Sequence, residues 1–328
     1  MNFTKMLRAL IVALLVSALV YAVMIVVSDG PAVADALSGF RVGIVAALLV
    51  LSVIGYAARS LRWGWLMGLV DHPVSIRDAL YIHISGQTMG ISPGRVGEIF
   101  KPWLAREISG MPMSRGIALL FAERVADLIA MFILALGGLA AIGVGAWTFV
   151  VAFAAVVAGA VVASSEWFHR IALAFLRKQK WARRHESSAS AISLTIKKAL
   201  TWQTLVPSVL VSVLAWGLEG TGLYLVIREL GFDGLGLLGA ISVYAVATIV
   251  GAFTFLPAGI GFTEASMAGI LIAAGMTAAA ASGATLITRV VMLWWAVLLG
   301  WLAVASRPAL FHRLMRLDPQ PESSEPSP

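Results

Sequence analysis

The order of hydrophobic and polar positions divides the chain into long apolar runs separated by short polar stretches. Apolar stretches of about 20 residues are long enough to cross the hydrocarbon core of a bilayer as helices. None of the runs alternates polar and apolar residues as a membrane β-strand does. The pattern therefore predicts an all-α, polytopic integral membrane protein. The runs lie at about residues 7–27, 41–58, 115–138, 144–164, 205–227, 234–256 and 284–305.

Two half-polar segments interrupt this helical pattern with proline and glycine, in "PGRVG" and in "PAGIG". These residues leave backbone amides and carbonyls without partners. At membrane depth such backbone is tolerated only where protein or a water-filled cavity covers it. We expect each segment to form a re-entrant hairpin of broken helices, followed by Glu98 in the first case and Glu264 in the second. The residues that break the helices are Pro93, Gly94, Gly97, Pro257, Gly259 and Gly261.

Basic residues predict the topology, because Lys and Arg collect in cytoplasmic loops. Lys5 and Arg8 precede the first run, which is too long for a signal peptide and lacks a small-residue cleavage pattern. We expect a retained first helix. Arg59, Arg62 and Arg77 mark the cytoplasmic side after the second run. Counted this way, both termini lie in the cytoplasm and the protein lies in the inner membrane.

The longest polar segment, 166–203, is strongly basic and is predicted to be cytoplasmic. Its apolar residues favour a helix that lies on the inner leaflet. It could bind anionic headgroups or only anchor the topology, and we favour the anchor. Residues 313–328 form a tail expected to be cytoplasmic and disordered. The net charge of +7 follows from such loops and does not indicate nucleic-acid binding.

The two breaks predict an inverted repeat. If the hairpin at Pro93 enters from the cytoplasm and that at Pro257 from outside, every charged loop falls on its expected side. Broken helices of opposite orientation are typical of transporters whose site lies near the bilayer midplane. The membrane domain would then cover 1–312, with repeats at about 41–164 and 205–305. The alternative is that two breaks coincide by chance in a glycine-rich chain.

The first break is suited to an anion. A helix that restarts after Gly97 directs free N–H groups towards the break, where they favour a phosphate or carboxylate. Arg95 would add a planar donor fork and Lys101 a point charge. Glu98 lies in the first turn, where the helix dipole favours it, and would orient Arg95. The alternative is that Arg95 and Glu98 pair with each other and only stabilise the hairpin tip.

The stretch "ERVAD" places Glu123 and Asp127 on one helix face, with Arg124 beside them. One carboxylate could titrate in a proton-coupled carrier, or the cluster could lock helices together. Because charges in hydrocarbon are costly unless they are paired or hydrated, we expect one polar cavity. The predicted substrate-binding residues are Arg95, Glu98, Lys101, Glu123, Arg124, Asp127, Glu264 and Arg289.

Several kinds of chemistry find no candidate residues. The chain has no cysteine, so thiolate sites and disulfides are excluded. Its five histidines form no HxxxH or HExxH pair, which argues against a metal site. His83 and Gln87 are interpreted as packing and hydrogen-bonding residues. We therefore predict no catalytic residue, no metal and no cofactor.

Four stretches together resemble the transmembrane region of lysylphosphatidylglycerol synthase, a flippase-like domain. They are "PGRVGEIFKPWLARE", "ALLFAERVADLIAMFIL", "FLPAGIGFTEASMAGIL" and "ITRVVMLWW". The resemblance runs from the first helix to about Ala305. Ala258 stands where the family pattern has a glycine, and Lys101 stands where an arginine is common.

This resemblance implies a membrane translocation unit without the soluble aminoacyl-transferase domain of two-part members. The implied function is to move a lipid or lipid-linked intermediate, with an anionic or glycosylated headgroup, between leaflets. Two alternatives stay open. One is an accessory scaffold for lipid or cell-envelope biosynthesis. The other is a membrane enzyme acting on a lipid phosphate, for which the chain has no phosphatase or prenyl-diphosphate motif.

Overall fold

The computed structural model describes residues 3–90, 98–142, 146–165, 186–254, 256–308 and 310. In that part of the chain the regular secondary structure is helical, with no strand, which confirms the predicted all-α class. The helices are α1 (Phe3–Val27), α2 (Gly30–Leu37), α3 (Val42–Leu69), α4 (Ile76–Gly86), α5 (Phe100–Ser109), α6 (Met113–Ile142), α7 (Ala146–Ser164), α8 (Glu186–Ala199), α9 (Trp202–Glu229), α10 (Leu237–Phe253), α11 (Phe262–Ala273) and α12 (Ala278–Ala305).

Among the described helices, α3, α9 and α12 are each long and apolar enough to cross a membrane. Each has 28 residues, and at 1.5 Å per residue such a helix exceeds the hydrocarbon thickness of about 30 Å. A fourth span is possible where Leu14–Val27 meets α2 at a bend of 98°. Large apolar side chains such as Leu19, Leu210 and Leu302 are exposed on the outside of the bundle. Lipid is the solvent that such a surface requires.

Helix α3 is longer than its apolar pattern predicted. The prediction ended it near residue 58 and assigned Arg59 and Arg62 to a cytoplasmic loop. That prediction was wrong, because the helix continues to Leu69 and leaves these side chains only 6% and 3% exposed. Both arginines pair with carboxylates from neighbouring helices, so the helix can carry them inside the bundle.

Helix α12 begins earlier than the predicted start near residue 284. Thr277 caps it, since the threonine hydroxyl accepts a hydrogen bond from the Ala280 amide at 3.3 Å. Arg289 therefore lies well inside the helix rather than near its start. Arg289 is buried there, with only 8% of the residue exposed.

Ion pairs join helix ends at the two ends of the bundle. Arg41, just before α3, donates from Nε to Glu229 Oε1 at the end of α9 over 2.7 Å. Arg307, just after α12, pairs with Asp78 Oδ1 in the first turn of α4 at 2.7 Å. The guanidinium of Arg307 also lies 4.4 Å from the ring centroid of Tyr81. These contacts fix which helix termini are neighbours.

Two pairs of short helices, α4–α5 and α10–α11, pack inside the bundle in a reciprocal way. Helix α4 packs on α3 and α12, while α10 packs on α9 and α6. We call the first helix of each pair its first arm and the second helix its second arm. Each second arm contacts the long helix that follows its own pair, since α5 contacts α6 and α11 contacts α12. Each first arm also contacts the long helix that follows the other pair.

The break between α10 and α11 is a tight turn of unusual backbone. Ala258, Gly259 and Gly261 all have positive φ, of 48°, 66° and 91°. A Cβ on Gly259 would lie 2.8 Å from Gly251 Cα and 2.7 Å from the Thr263 hydroxyl, so only glycine fits there. The predicted breaks at Pro93, Gly94 and Gly97 lie outside the described residues.

Candidate functional site

A cavity of about 120 Å³ lies where the two pairs of short helices meet α3, α6, α9 and α12. Its wall is strongly polar for a site so deep in an apolar bundle. Of the predicted substrate-binding residues, five line it: Glu98, Lys101, Arg124, Asp127 and Arg289. Glu123 and Glu264 contact wall residues from behind, and Arg95 lies outside the described residues.

Glu123 is the centre of the first group of charges. Its Oε2 accepts from Lys101 Nζ at 2.5 Å and its Oε1 from Arg62 Nη2 at 2.9 Å. Lys101 is buried because its aliphatic stem fills the space over Gly86, where a Cβ would lie 2.7 Å from the lysine Cδ. Its ammonium also lies 4.3 Å from the ring centroid of Trp63.

Asp127, one turn further along α6, continues this network. Its Oδ1 accepts from Ser212 Oγ at 2.6 Å and from Arg62 Nη1 at 3.2 Å. Arg124 Nη1 lies 3.3 Å from the other carboxylate oxygen of Asp127, and Arg124 Nε lies 3.4 Å from Glu98 Oε2. The i, i+4 spacing read from the sequence therefore does place these carboxylates in one cluster.

Arg289 and Glu264 form a second group at the break between α10 and α11. Arg289 donates from Nε to Glu264 Oε1 at 2.7 Å and from Nη2 to the Ala258 carbonyl at 3.0 Å. The other oxygen of Glu264 accepts from the Gly261 amide at 2.7 Å, which caps α11. The pair therefore ties the tight turn to α12.

Arg59 and Glu219 form a third group that the sequence prediction did not include among the binding residues. Arg59 Nη1 lies 3.0 Å from Glu219 Oε1, and the Tyr244 hydroxyl donates to Glu219 Oε2 at 2.6 Å. Arg59 was missed because charge counting assigned it to a loop. The helical run of apolar residues that continues through "LRWGWLMGL" is the signal that could have placed it inside a helix.

Opposite charges balance among the described residues of this network, with five cations and five carboxylates, and each carboxylate contacts a cation. Removing charges from water is expensive unless each one finds a partner. The described carboxylates face cations rather than one another, and none of them belongs to a metal-ligating group of three. The members are Arg59, Arg62, Lys101, Arg124, Arg289, Glu98, Glu123, Asp127, Glu219 and Glu264.

Fold and site together define a polytopic helical membrane protein with a charged internal cavity. The chain belongs to the family described as the lysylphosphatidylglycerol synthase TM region, whose sequence profile matches residues 10–300. This confirms the family resemblance seen in the sequence motifs.

Two relatives from Methanothermobacter thermautotrophicus carry the name "UPF0104 membrane protein". The first is 25% identical over 287 residues, which are 78% of this chain and 81% of the relative. The second is 28% identical over 141 residues, which are 42% of this chain and 41% of the relative. Both support the assignment to a membrane protein family.

Proposed function

We propose that the protein is a flippase-like transporter of lipid biosynthesis, which moves a lipid with an anionic or glycosylated headgroup between the leaflets of the inner membrane. The observation that carries this proposal is the cavity lined by ion-paired charges between the two pairs of short helices. Charged residues that lie inside a membrane domain and face a cavity commonly mark a pathway for a substrate or an ion. The cavity would take the headgroup while the acyl chains stay in lipid.

We further propose that α3 to α6 and α9 to α12 are inverted repeats. Reciprocal packing of α4 on α12 and of α10 on α6 supports this relation. So does a reversal of charge: in one unit Lys101 of the second arm pairs with Glu123 of the next long helix, and in the other Glu264 pairs with Arg289. Repeats of this kind support alternating access around a fixed midplane site.

The proposed transport cycle requires the two units to rock against each other, so that the cavity opens to one side of the membrane and then to the other. We propose transport rather than covalent chemistry, because the sequence has no phosphatase or prenyl-diphosphate motif.

A headgroup-accessibility assay tests the proposal. Purified protein is reconstituted into vesicles with phosphatidylglycerol that carries a fluorescent nitrobenzoxadiazole group on its headgroup, and external dithionite bleaches the outer leaflet. We expect the protein to expose the inner-leaflet probe faster than protein-free vesicles do. Bleaching that stops at the outer-leaflet fraction for this lipid and for a glycosylated lipid probe would contradict the proposed function.

A further inference from the structure

Arg59 has an orientation fixed by three contacts. Its Nη1 pairs with Glu219 at 3.0 Å, and Glu219 is itself held by the Tyr244 hydroxyl. The guanidinium carbon lies 4.1 Å from the ring centroid of Trp216, so one face of the group packs on an aromatic surface. With the side chain only 7% exposed, these contacts leave little freedom for another rotamer.

The opposite edge of the same guanidinium is unused. Nε and Nη2 are buried, and neither has a hydrogen-bond partner among the described residues. A buried donor without a hydrogen-bond partner is energetically unfavourable, and more so when the group is charged. Arg59 lines the cavity, and these two atoms have almost no exposed surface in this structure, so a group reaches this edge when the cavity opens. Nε–H and Nη2–H point the same way and match the two oxygens of a phosphate or carboxylate.

The charge balance of the network indicates how much negative charge such a ligand carries. Among the described residues five cations already face five carboxylates, so these residues supply no excess of positive charge. Glu219 holds one edge of Arg59, and a dianion at the other edge would be repelled across a single guanidinium. A ligand with one negative charge, spread over two oxygens, fits this arrangement best.

We propose that the Nε/Nη2 edge of Arg59 binds an oxyanion of single negative charge, such as the phosphodiester of a lipid headgroup. The inference rests on the proposed function for the source of the ligand, since a transported lipid would bring the oxyanion into the cavity. It assigns the headgroup contact to α3, in addition to the contact predicted for Arg95.

Binding by the full-length protein in a neutral detergent tests this assignment. The probes are dihexanoylphosphatidylglycerol, dihexanoylglycerol, which has the same chains without the anion, and inorganic phosphate. We expect the phosphodiester lipid to bind and dihexanoylglycerol not to bind. Arg59→Lys keeps the charge facing Glu219 but removes the two-donor edge, so it should weaken binding by about tenfold or more. Arg41→Lys, at an exposed ion pair far from the cavity, should bind as the wild type does.

A second variant, Glu219→Gln, should strengthen binding of the phosphodiester lipid instead of weakening it. Glu219→Gln keeps hydrogen-bonding capacity toward Arg59 and Tyr244 but removes the negative charge behind the guanidinium, so the phosphodiester lipid should bind more tightly. If Arg59→Lys does not fold, this variant decides: tighter binding upholds the assignment, and unchanged or weaker binding contradicts it. Equal affinity of Arg59→Lys and wild type for the phosphodiester lipid would also overturn it.

The remaining outcomes separate the ligand source and the two proposals. Inorganic phosphate could bind as well as the lipid does and fail to bind to Arg59→Lys. That result upholds the oxyanion edge and identifies a soluble ion as its ligand. Arg59-dependent lipid binding without translocation upholds the edge and contradicts the transporter proposal. If Arg59→Lys binds the lipid as the wild type does and translocates it at the wild-type rate, the oxyanion-binding proposal is wrong and the transporter proposal stands.

Discussion

Glu123 is a carboxylate that two buried cations share. Lys101 and Arg62 approach its two oxygens at 2.5 Å and 2.9 Å, and all three residues are almost completely buried. Neither cation can turn to water if the carboxylate is lost. Arg62 would keep Asp127 as a partner, so the free energy that Glu123 contributes is mostly the cost of leaving the Lys101 ammonium buried and unpaired.

Glu123→Gln should lower the free energy of unfolding by about 3–5 kcal/mol, because it leaves the buried Lys101 ammonium without its paired carboxylate. Denaturant-induced unfolding in mixed detergent micelles measures the change. Asp233→Asn is the matched control, since it removes a carboxylate that is 75% exposed and pairs with the exposed Arg228, and it should change stability very little. If the two substitutions lowered the free energy of unfolding equally, burial of the ion pair would not determine the loss of stability.

Ala258 is a residue whose backbone does not suit its side chain. Its φ of 48° lies in the left-handed region, which costs an L-residue with a Cβ roughly 1–2 kcal/mol. Its carbonyl nevertheless accepts from Arg289 Nη2 at 3.0 Å, so the turn keeps this conformation. The sequence resemblance led us to expect a glycine at this position, and this backbone conformation is one that glycine adopts readily.

Ala258→Gly should therefore raise the free energy of unfolding by about 1 kcal/mol, because glycine adopts positive φ without strain. Thermal unfolding in detergent tests this as an increase in the apparent Tm. Ala265→Gly, in an exposed position inside α11, should have the opposite effect, since glycine weakens a helix interior. A lower Tm for Ala258→Gly would contradict the strain.

At the residue scale the sequence predicted the carboxylates better than the arginines. Glu123 and Asp127 share a helical face whatever their surroundings, so their spacing was enough to group them. Arg59 and Arg62 follow an apolar run, and counting charges gives a loop arginine and a buried arginine the same weight. Their partners Glu219 and Asp127 lie far along the chain, so only the tertiary structure reveals the pairing.

At the scale of elements, glycines allow the short helices to approach the long ones. A Cβ on Gly300 of α12 would lie 2.6 Å from the Thr88 amide nitrogen and 3.1 Å from the Ile84 carbonyl. Gly138 of α6 plays the same part against α10, where a Cβ would collide with the Leu238 carbonyl. Both first arms thus pack on a glycine of the long helix that follows the other pair.

Gly300→Ala should lower the free energy of unfolding by about 1–3 kcal/mol, because the added methyl group forces the backbone near Thr88 away from α12. Gly269→Ala is the control. A Cβ there meets nothing within 4 Å, so alanine should stabilise α11 by up to about 1 kcal/mol. Denaturant-induced unfolding of both variants measures the difference, and a Gly300→Ala protein as stable as the wild type would contradict the close contact.

The elements themselves were largely predictable, because length and apolarity determine where a membrane helix can exist. The residues at which the helices begin and end were less predictable. α12 begins at a threonine cap within "GMTAAAASGAT", where the small residues gave no strong apolar signal. α3 continues through two arginines that a short window counts as polar. Tertiary pairing therefore decides where α3 ends, and a local threonine cap decides where α12 begins.

At the scale of the whole molecule, the proposed cycle requires that the cavity open to each side in turn. Thr248 of α10 lines the cavity, and its hydroxyl donates to the Tyr244 carbonyl at 2.8 Å. The chain has no cysteine, so a cysteine introduced there would be the only thiol. Its reaction with a membrane-impermeant reagent reports directly on which side of the membrane the cavity faces.

The most direct test places Thr248→Cys in sealed vesicles and adds a small charged methanethiosulfonate to the outside only or to the inside only. We expect modification from both sides, because alternating access exposes the cavity to each in turn. Ser38→Cys, at an exposed position between α2 and α3, should react from one side only and confirms that the vesicles are sealed. Modification of Thr248→Cys from a single side, or from neither, would contradict alternating access through this cavity.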